Sequence, residues 1–261
     1  MKISIAIPAR YGSTRFPGKP LAVIGGKTML SRVVELARGA GNDIDVFVTT
    51  DDDRIAGHAQ EIGAECVMTS PDCATGSDRV LAALKQRSEM PDHVINLQGD
   101  APFTPPQVLT ALINAIKTDK PEVVTPVHRL SWTDLDRLRE SKKETPFSGT
   151  CAVINSAGNA LWFSKNIIPA IRKEDDLRGH DKFSPVYQHM GVYGYRTDIL
   201  EKFCALPQGH YEKLEGLEQL RLLENGITIR AVEIEIEQGQ IQSGIDTPED
   251  LKRAEKLLEN F

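Results

Sequence analysis

The feature that most limits how this chain can fold is a regular alternation of short β-rich runs with amphipathic helical patterns, from residue 2 to about residue 127. The successive pairs are ISIAI with TMLSRVVELAR, IDVFVTT with DRIAGHAQEIG, ECVMT with SDRVLAALKQR, and HVINLQG with PPQVLTALINAIK. Repeated strand-helix units predict a mostly parallel sheet covered by helices. Ligands of such sheets bind outside the carboxyl ends of the strands, so we expect a site in the loops that follow the strands.

The second half of the chain is less regular. From about 128 to 190 it contains a charged segment (RLRESKKETPFSGT), two short β-like runs and a polar segment (RKEDDLRGHDKFSP). We interpret this region as an insertion in one domain that spans residues 1–261. Beyond it, MGVYGYR predicts a strand, LEGLEQLRLLENG a helix, TIRAVEIEI a strand and PEDLKRAEKLLENF a final helix, and these elements complete the sheet.

Composition excludes several classes of protein. The chain has 31 Lys and Arg against 37 Asp and Glu, and a net charge of -6 does not favour a general nucleic-acid binder. The four cysteines form no C-x-x-C pair, which indicates neither a zinc site nor a disulfide framework and fits a reducing cytoplasm. No segment approaches the roughly 20 apolar residues that span a bilayer. We therefore expect a soluble, unprocessed cytoplasmic protein without a membrane partner.

A cationic loop follows the first predicted strand. PARYGSTRFPGKPL, residues 8–21, places Arg10, Arg15 and Lys19 among glycines and prolines that no regular helix or strand accommodates. The proline after Lys19 rules out a Walker motif, and the G-x-G-x-x-G spacing is also missing. Backbone N–H groups at Gly12 and Ser13, together with Arg10 and Lys19, could still bind phosphate oxygens. The loop predicts a phosphate site of another type.

Two aspartates are candidates for a metal site. Asp100 ends the strand INLQGD, and Asp246 precedes a capping box in GIDTPEDL that explains the neighbouring residues but not Asp246 itself. Each aspartate alone could be a cap or a turn residue. Because both lie where a strand gives way to a loop, they can reach one face of the sheet, and two carboxylates beside a phosphate loop suit Mg²⁺. No histidine-based metal motif and no G-x-S-x-G motif points to a hydrolase.

Six motifs, in this order, resemble those of the 3-deoxy-manno-octulosonate cytidylyltransferases, or CMP-Kdo synthetases: PARYGSTRFPGKPL, NLQGDAP, FSKNIIP, HMGVYGYR, LEGLEQLR and GIDTPEDL. The resemblance runs from residue 3 to the C-terminal helix. It implies a three-layer, Rossmann-like nucleotidyltransferase fold whose insertion forms a homodimer. It also implies Mg²⁺-dependent transfer of CMP from CTP to the acidic eight-carbon sugar Kdo, with release of pyrophosphate, in lipopolysaccharide biosynthesis.

The resemblance implies a role for individual residues as well. The triphosphate would contact Ala9, Arg10, Ser13 and Lys19, with help from Arg15. The cytosine and ribose would lie among Thr69, Thr75, Ser77, Arg79 and Gln98. The sugar pocket would contain Lys165, His189, Tyr193, Glu215 and Gln219, and Mg²⁺ would be held by Asp100 and Asp246. The residues expected to act in the chemistry are Arg10, Lys19, Asp100 and Asp246.

The chain departs from the family pattern at three positions, and these leave the acceptor open. The family usually has QGDEP, FSR and a lysine in a V-K-V strand, where this chain has Ala101, Lys165 and Ala152. Lysine cannot reproduce the bidentate fork of arginine on a carboxylate. The acceptor could therefore be Kdo or a relative such as 8-amino-3,8-dideoxy-manno-octulosonate, whose ammonium would disfavour nearby cations and favour carboxylates.

Three other functions remain as alternatives. Two are related enzymes, a CMP-sialic acid synthetase or a methylerythritol-phosphate cytidylyltransferase, and the segment TRFPGKPL disfavours both. The third is a non-catalytic nucleotide-sensing protein that keeps the phosphate loop without the chemistry. Retention of both Asp100 and Asp246 argues against the third.

Overall fold

A computed structural model describes residues 1–12, 16–236, 245, 250, 251 and 255 of the chain. Three of the predicted site residues, Ser13, Arg15 and Asp246, lie outside the described residues, as does most of the predicted final helix.

The strands and helices follow the alternation seen in the sequence. The strands are β1 Ile3–Pro8, β2 Val23–Ile24, β3 Lys27–Thr28, β4 Asp45–Thr50, β5 Glu65–Met68, β6 His93–Asn96, β7 Val123–Ser131, β8 Thr150–Ile154, β9 Ala160–Ser164, β10 Phe183–His189, β11 Tyr193–Arg196 and β12 Ile229–Glu233. The helices are α1 Met29–Arg38, α2 Asp53–Glu61, α3 Gly76–Leu84, α4 Pro106–Asp119, α5 Trp132–Glu144, α6 Glu174–Arg178, α7 Thr197–Ala205, α8 His210–Glu215 and α9 Gln219–Glu224. A 3₁₀ turn spans Lys19–Leu21.

Among the described residues, ten strands form one mixed sheet in the order β5-β4-β1-β6-β11-β7-β10-β8-β9, with β12 paired to β7. The half that contains β5, β4, β1 and β6 is parallel. Strands β10 and β11 run antiparallel to β7, and β8 and β9 extend the sheet antiparallel beyond β10. The carboxyl ends of β1, β4 and β6 therefore meet at one edge, where the loops that carry the predicted phosphate and metal residues begin.

Helices cover both faces of the sheet, as the period of the apolar residues predicts. All six residues of β1 are buried, which is typical of a strand covered on both sides. Ile5 of β1 packs in a core cluster with residues of α1, α2 and α4, whereas Ala6 faces a second cluster formed with α3, α7 and α9. This three-layer α/β arrangement confirms the predicted fold class.

The middle region has more regular structure than its sequence suggested. The first part of the charged segment, up to Glu144, belongs to the helix α5, which begins after the N-cap Ser131 and packs through Trp132 and Leu135 on a third, smaller core cluster. The turn before β9 contacts β12, where Ala231 N donates to Gly158 O at 2.9 Å. The division into one domain with an insertion at about 128–190 stays a prediction, and β7 spans the start of that region.

One predicted helix is wrong in its extent. LEGLEQLRLLENG was predicted as a single helix, but α8 ends before Gly216 and α9 begins at Gln219. Gly216 has a φ of 63°, a left-handed conformation that glycine adopts readily and that ends helices. Glu215 therefore ends one helix and Gln219 begins the next, and their side chains have different neighbours.

None of the helices in the described part of the chain has both the length and the apolar character needed to cross a membrane.

Candidate active site

The predicted phosphate loop leaves the carboxyl end of β1 and is closed at its base. Ala9 is buried, and its N–H donates to Thr49 O at 2.9 Å, which joins the loop to the end of β4. At the other end of the loop, Gly18 N donates to Tyr11 O at 2.9 Å. Arg10 is exposed between these two contacts. These two contacts therefore hold Arg10 beside the carboxyl ends of β1 and β4.

Tyr11 supports the closing turn of this loop. A Cβ atom on Gly18 would lie 3.0 Å from the Tyr11 ring, and Gly18 has a φ of 71°, so glycine is required there on two counts. The guanidinium of Arg54 stacks on the Tyr11 ring, with Cζ 3.3 Å from the ring centroid. Arg54 is itself fixed by Asp52, which accepts from Nε at 3.0 Å and from Nη2 at 2.6 Å. The hydrogen bonds from the Arg54 side chain are the main cause of the lowered pKa of Asp52.

Lys19 follows Gly18 directly and brings its charge to the end of β6. The ammonium lies 2.5 Å from Asp100 Oδ2, and the lysine side chain is only 10% exposed. Asp100 keeps 35% of its side chain exposed, so the carboxylate remains open to a ligand. Its backbone carbonyl accepts from Ile245 N at 3.2 Å. The residue before Asp246 thus contacts Asp100, although Asp246 itself is outside the described residues.

Thr69 and Arg79, predicted near the nucleoside, form a buried polar group between β4 and α3. Arg79 is 3% exposed, and its Nη1 donates to Thr69 Oγ1 at 2.8 Å. Its Nη2 lies 3.3 Å from Asp51 Oδ2, and Thr69 Oγ1 donates in turn to Thr50 O at 3.1 Å. These contacts fix the guanidinium inside the pocket.

Thr75 has a clear local role. Its hydroxyl accepts from Asp78 N at 3.1 Å and its backbone N–H donates to Asp78 Oδ2 at 3.0 Å, which forms a capping box at the start of α3, and the hydroxyl also donates to Asp78 Oδ2 at 2.9 Å. Because the single hydroxyl hydrogen is used in the cap, Thr75 can offer a ligand only an acceptor. The predicted contact of Thr75 with the nucleoside stays a prediction.

Gln98 lies against the same helix start. Its Nε2 donates to Asn96 Oδ1 at 2.9 Å, and a Cβ atom on Gly76 would lie 3.1 Å from both Gln98 amide atoms. Glycine at 76 therefore lets the amide approach the backbone of α3. Ser77, the next residue, is 5% exposed and lies within 3.4 Å of Asn96 Nδ2.

One pocket at the carboxyl edge of the sheet brings most of these groups together. Its described lining comprises Pro8, Ala9, Arg10, Lys19, Pro20, Cys73, Thr75, Gly76, Arg79, Gln98, Gly99 and Asp100. The structure thus gathers seven predicted residues, from segments up to 91 positions apart by residue number, around one opening.

The predicted sugar residues lie further along the sheet, where β9 and β10 end and β8 begins. Thr125 Oγ1 donates to Val192 O at 2.8 Å and contacts His189 Nε2 at 2.9 Å. Because the threonine hydrogen is already used, the proton of this contact belongs to His189 Nε2. Burial, with a smaller contribution from the charge of Lys165, lowers the pKa of His189 to about 3, so the imidazole is neutral. Its ring centroid lies 5.3 Å from that of Tyr193, whose pKa burial raises.

Glu215 and Gln219 have different environments. The two carboxylate oxygens of Glu215 accept from Ser164 Oγ and from Lys165 N, both at 2.8 Å. Gln219 is 5% exposed, and its Nε2 has no hydrogen-bond partner among the described residues. A buried donor without an acceptor is costly, so Gln219 Nε2 is suited to a ligand oxygen.

Glu218 is a candidate that the sequence patterns did not single out. Its Oε1 is buried without a hydrogen-bond partner in the described part of the chain. Burial raises the pKa of Glu218, and the hydroxyl of Ser77 and the charge of Arg221 partly oppose this shift. Glu218 therefore lies between Ser77, on the predicted nucleoside side, and Gln219, on the predicted sugar side. The only signal in the sequence was an acid within the LEGLEQLR motif.

The three departures from the family pattern have distinct positions. Ala152 is fully buried in β8, opposite Phe163 and Tyr187 on the neighbouring strands. Ala101 and Lys165 are half-buried at the ends of their strands. Of the three, only Lys165 offers a charge to a ligand.

A metal site of three or more His, Cys, Asp or Glu side chains is not found within residues 1–12, 16–236, 245, 250, 251 and 255. Asp100 is the described carboxylate at the sheet edge beside the phosphate loop. Its oxygen donors are of the type that Mg²⁺ prefers.

Comparisons with known proteins agree over the full chain. A family model described as Cytidylyltransferase matches residues 4–234. The 3-deoxy-manno-octulosonate cytidylyltransferase of Maricaulis maris is 44% identical over 259 residues, covering 99% of this chain and 97% of the relative. That of Bacteroides thetaiotaomicron is 41% identical and covers 100% and 99%.

Solved structures give the same result. A CMP:2-keto-3-deoxy-manno-octonic acid synthetase in complex with CTP is similar with a TM-score of 0.84 and 34% identity, covering 100% of this chain and 99% of that one. The 4-diphosphocytidyl-2C-methyl-D-erythritol synthase of Anaerococcus prevotii has a TM-score of 0.60 at 16% identity, with 99% and 98% covered. The second likeness concerns the fold alone.

Proposed function

Because the chain belongs to the 3-deoxy-manno-octulosonate cytidylyltransferase family, we propose that it transfers CMP from CTP to 3-deoxy-D-manno-octulosonate or a close analogue and releases pyrophosphate. The observation that carries this proposal is the pairing of Lys19 with Asp100, 2.5 Å apart, in the pocket at the ends of β1 and β6. A cation that could bind phosphate and a carboxylate that could bind a metal ion are in contact there.

The reaction needs positioning and charge rather than a covalent protein intermediate. The anomeric hydroxyl of the sugar would attack the α-phosphorus in line with the leaving pyrophosphate. Lys19 and Arg10 would bind phosphate oxygens and offset the charge that develops on the leaving group. The closed base of the loop, from Ala9 to Gly18, would keep these cations in place during the step.

Mg²⁺ is part of the proposal, held by Asp100 together with Asp246. The donor chemistry of Asp100 fits this ion, and the contact of Ile245 N with Asp100 O supports a role for the residue that follows Ile245. When bound, Mg²⁺ would offset phosphate charge and lower the pKa of the attacking hydroxyl. Asp100 also holds the ammonium of Lys19, so the same carboxylate orients the cation that faces the triphosphate.

The acceptor would bind beside the triphosphate, towards the ends of β9 and β10 and the start of β8. The unpaired Gln219 Nε2 would donate to a sugar oxygen, and neutral His189 and Tyr193 would line the pocket wall. Lys165 would provide the cation for the sugar carboxylate. The nucleoside would lie between Arg79, Gln98 and the start of α3, with Thr69, Thr75 and Ser77 around it.

We also propose that the enzyme acts in the cytoplasm, in lipopolysaccharide biosynthesis, as a homodimer. Two large apolar side chains of the middle region are strongly exposed, Phe147 at 74% and Leu161 at 56%. Apolar surface of this kind supports association with a second copy. The four cysteines are free, in agreement with a reducing compartment.

The proposed function is tested by pyrophosphate release from the purified protein with CTP and Mg²⁺. Kdo, its 8-amino analogue and sialic acid are offered in parallel at equal concentrations. Release with Kdo or the 8-amino analogue supports the proposal and identifies the acceptor. Release with sialic acid alone would transfer the protein to the sialic acid class, and CTP binding without any release would favour a nucleotide sensor.

A further inference from the structure

The ammonium of Lys142 is enclosed by backbone carbonyls at the sugar end of the sheet. Lys142 lies near the end of α5, and its Nζ donates to Lys165 O at 2.6 Å and lies 3.3 Å from Gly149 O. It also contacts the carbonyls of Ser148 and Pro146. An ammonium has three hydrogens, so these carbonyls use its donors and leave none for a substrate. Burial lowers the pKa of Lys142, as expected for a cation enclosed by protein.

The other backbone group of Lys165 is held from a different helix. Lys165 N donates to Glu215 Oε2 at 2.8 Å, while Glu215 Oε1 accepts from the Ser164 hydroxyl at 2.8 Å. Glu215 ends α8, and Lys142 belongs to α5. Two charged side chains of opposite sign, from helices far apart in the chain, therefore clamp the N–H and the C=O of one residue.

The clamped residue Lys165 lies beside the predicted sugar residue His189. In β8, Thr150 lies opposite His189 and Cys151 lies opposite Ser164, so Lys165 follows a strand that ends beside His189. The charge of Lys165 contributes to the low pKa of His189, in agreement with an ammonium on that side.

Building on the proposed function, we propose that Lys142 and Glu215 are positioning residues that fix Lys165 for the carboxylate of the acceptor sugar. Glu215 then contributes to acceptor binding through the Lys165 backbone. A lysine side chain has four rotatable bonds and only point-charge recognition, so a fixed backbone narrows the range that its ammonium covers. Pre-ordered groups of this type improve substrate affinity because less freedom is lost on binding.

The chain offers a matched control at the next position. Lys143 belongs to the same helix turn, but its side chain is 70% exposed and pairs with Glu140 at the surface. The variants Lys142→Met and Lys143→Met remove the same charge from adjacent positions. Only the first removes donors from the carbonyls of Lys165 and Gly149.

The experiment is steady-state kinetics with the acceptor and CTP varied in turn, using whichever acid the wild-type protein turns over. We expect Lys142→Met to raise the acceptor KM by about tenfold and to leave the CTP KM within about twofold of wild type. Lys143→Met should change neither constant, and Lys142→Arg, which keeps a charged donor, should restore part of the affinity. Glu215→Gln keeps one acceptor oxygen only, so it should act in the same direction as Lys142→Met.

A double-variant cycle separates positioning from general structural damage. If Lys142 acts through Lys165, adding Lys142→Met to Lys165→Met should raise the acceptor KM by less than about twofold. Full additivity, or equal changes in both KM values, would overturn the proposal.

Amide exchange provides a readout that needs no activity. Peptides that contain Lys165 should exchange faster in Lys142→Met than in wild type or Lys143→Met. If exchange were unchanged, the clamp would be refuted even if kinetics changed. If the wild-type protein turned over no acidic sugar, the proposed function would fail, and the exchange rates would still decide whether Lys142 holds Lys165.

Discussion

Lys19 Nζ lies 2.5 Å from Asp100 Oδ2, and this contact joins the closing turn of the phosphate loop to the end of β6. The two residues are 81 positions apart, so the fold alone brings them together. Each side chain is suited to one part of a nucleotidyl transfer, the lysine to phosphate oxygens and the aspartate to a divalent cation. Replacing either residue therefore also removes an ion-pair partner of the other.

Replacing Asp100 should therefore abolish most of the turnover. Asp100→Asn keeps the shape but removes the charge that pairs with Lys19 and that we propose binds Mg²⁺, and we expect kcat to fall by about 10²- to 10⁴-fold. The measurement is pyrophosphate release at a series of Mg²⁺ concentrations. Asp92, an aspartate exposed at the opposite end of the same strand, serves as the control through Asp92→Asn. Wild-type turnover by Asp100→Asn would remove this residue from the mechanism.

Gln219 should show a conflict between stability and substrate affinity. Its buried Nε2 has no partner among the described residues, so Gln219→Met should raise the free energy of unfolding by about 1 kcal/mol in the absence of ligand. The same change should raise the acceptor KM, since it removes the donor that we propose for the sugar. Denaturant unfolding and kinetics of one preparation measure both effects. A variant that is less stable and binds the sugar normally would show that the amide has a structural role.

The stack of Arg54 on Tyr11 should support CTP binding from outside the pocket. Arg54→Ala removes a cation lying 3.3 Å from the ring that backs Gly18, and we expect the CTP KM to rise by about threefold. Arg196→Ala is the matched control, because Arg196 also forms a two-bond pair with an aspartate two positions away, Asp198. Equal effects of the two changes would contradict a role for the stack.

The free energy of unfolding should fall as the pH is lowered below about 6.5, because two buried histidines stay neutral in the folded protein. Burial lowers the pKa of His128 to about 4 and that of His189 to about 3, below the usual 6.5. The unfolded chain therefore binds more protons between these values and about 6.5, and each histidine lowers the free energy of unfolding by about 1.4 kcal/mol per pH unit as the pH falls.

Denaturant unfolding between pH 7.5 and 5 measures this dependence. The contribution is complete above about pH 6.5 and is lost progressively below it. His128→Leu should reduce the slope between pH 6.5 and 5 without abolishing it, because His189 and His93, whose pKa burial also lowers, remain. An unchanged slope would show that His128 is not held neutral in the folded protein.

The sequence predicted the layered fold and the pocket edge because both depend on short-range patterns. Alternating strands and helices place Arg10, Lys19 and Asp100 after strands whose carboxyl ends meet, and the structure brings Arg10, Lys19 and Asp100 to one pocket. The helix α5 was missed because its apolar residues are few and its charges are satisfied by tertiary contacts. Likewise, the break at Gly216 depends on a left-handed backbone conformation that the helical pattern around it masked.

Side chains that act through tertiary contact could not be predicted from spacing. Arg54 of α2 contacts Tyr11 in the loop after β1, and Lys142 contacts Lys165 across 23 positions, so neither pair leaves a periodic signal. Glu218 could not be singled out for a different reason. An acidic residue in an amphipathic helix is normally solvated, and only the packing shows that Glu218 Oε1 is buried. Asp246, Ser13 and Arg15 lie outside the described residues and remain predictions from the sequence.

Nucleotidyl transfer itself is tested most directly by following the α-phosphorus of CTP. The purified protein is given CTP labelled at the α-phosphate, Mg²⁺ and the acidic sugar, and the products are separated. We predict that the label appears in a CMP-sugar in step with unlabelled pyrophosphate, and that Asp100→Asn forms neither product at a comparable rate. Label that appears in CDP, in free CMP without sugar or in no product would contradict transfer at the α-phosphorus.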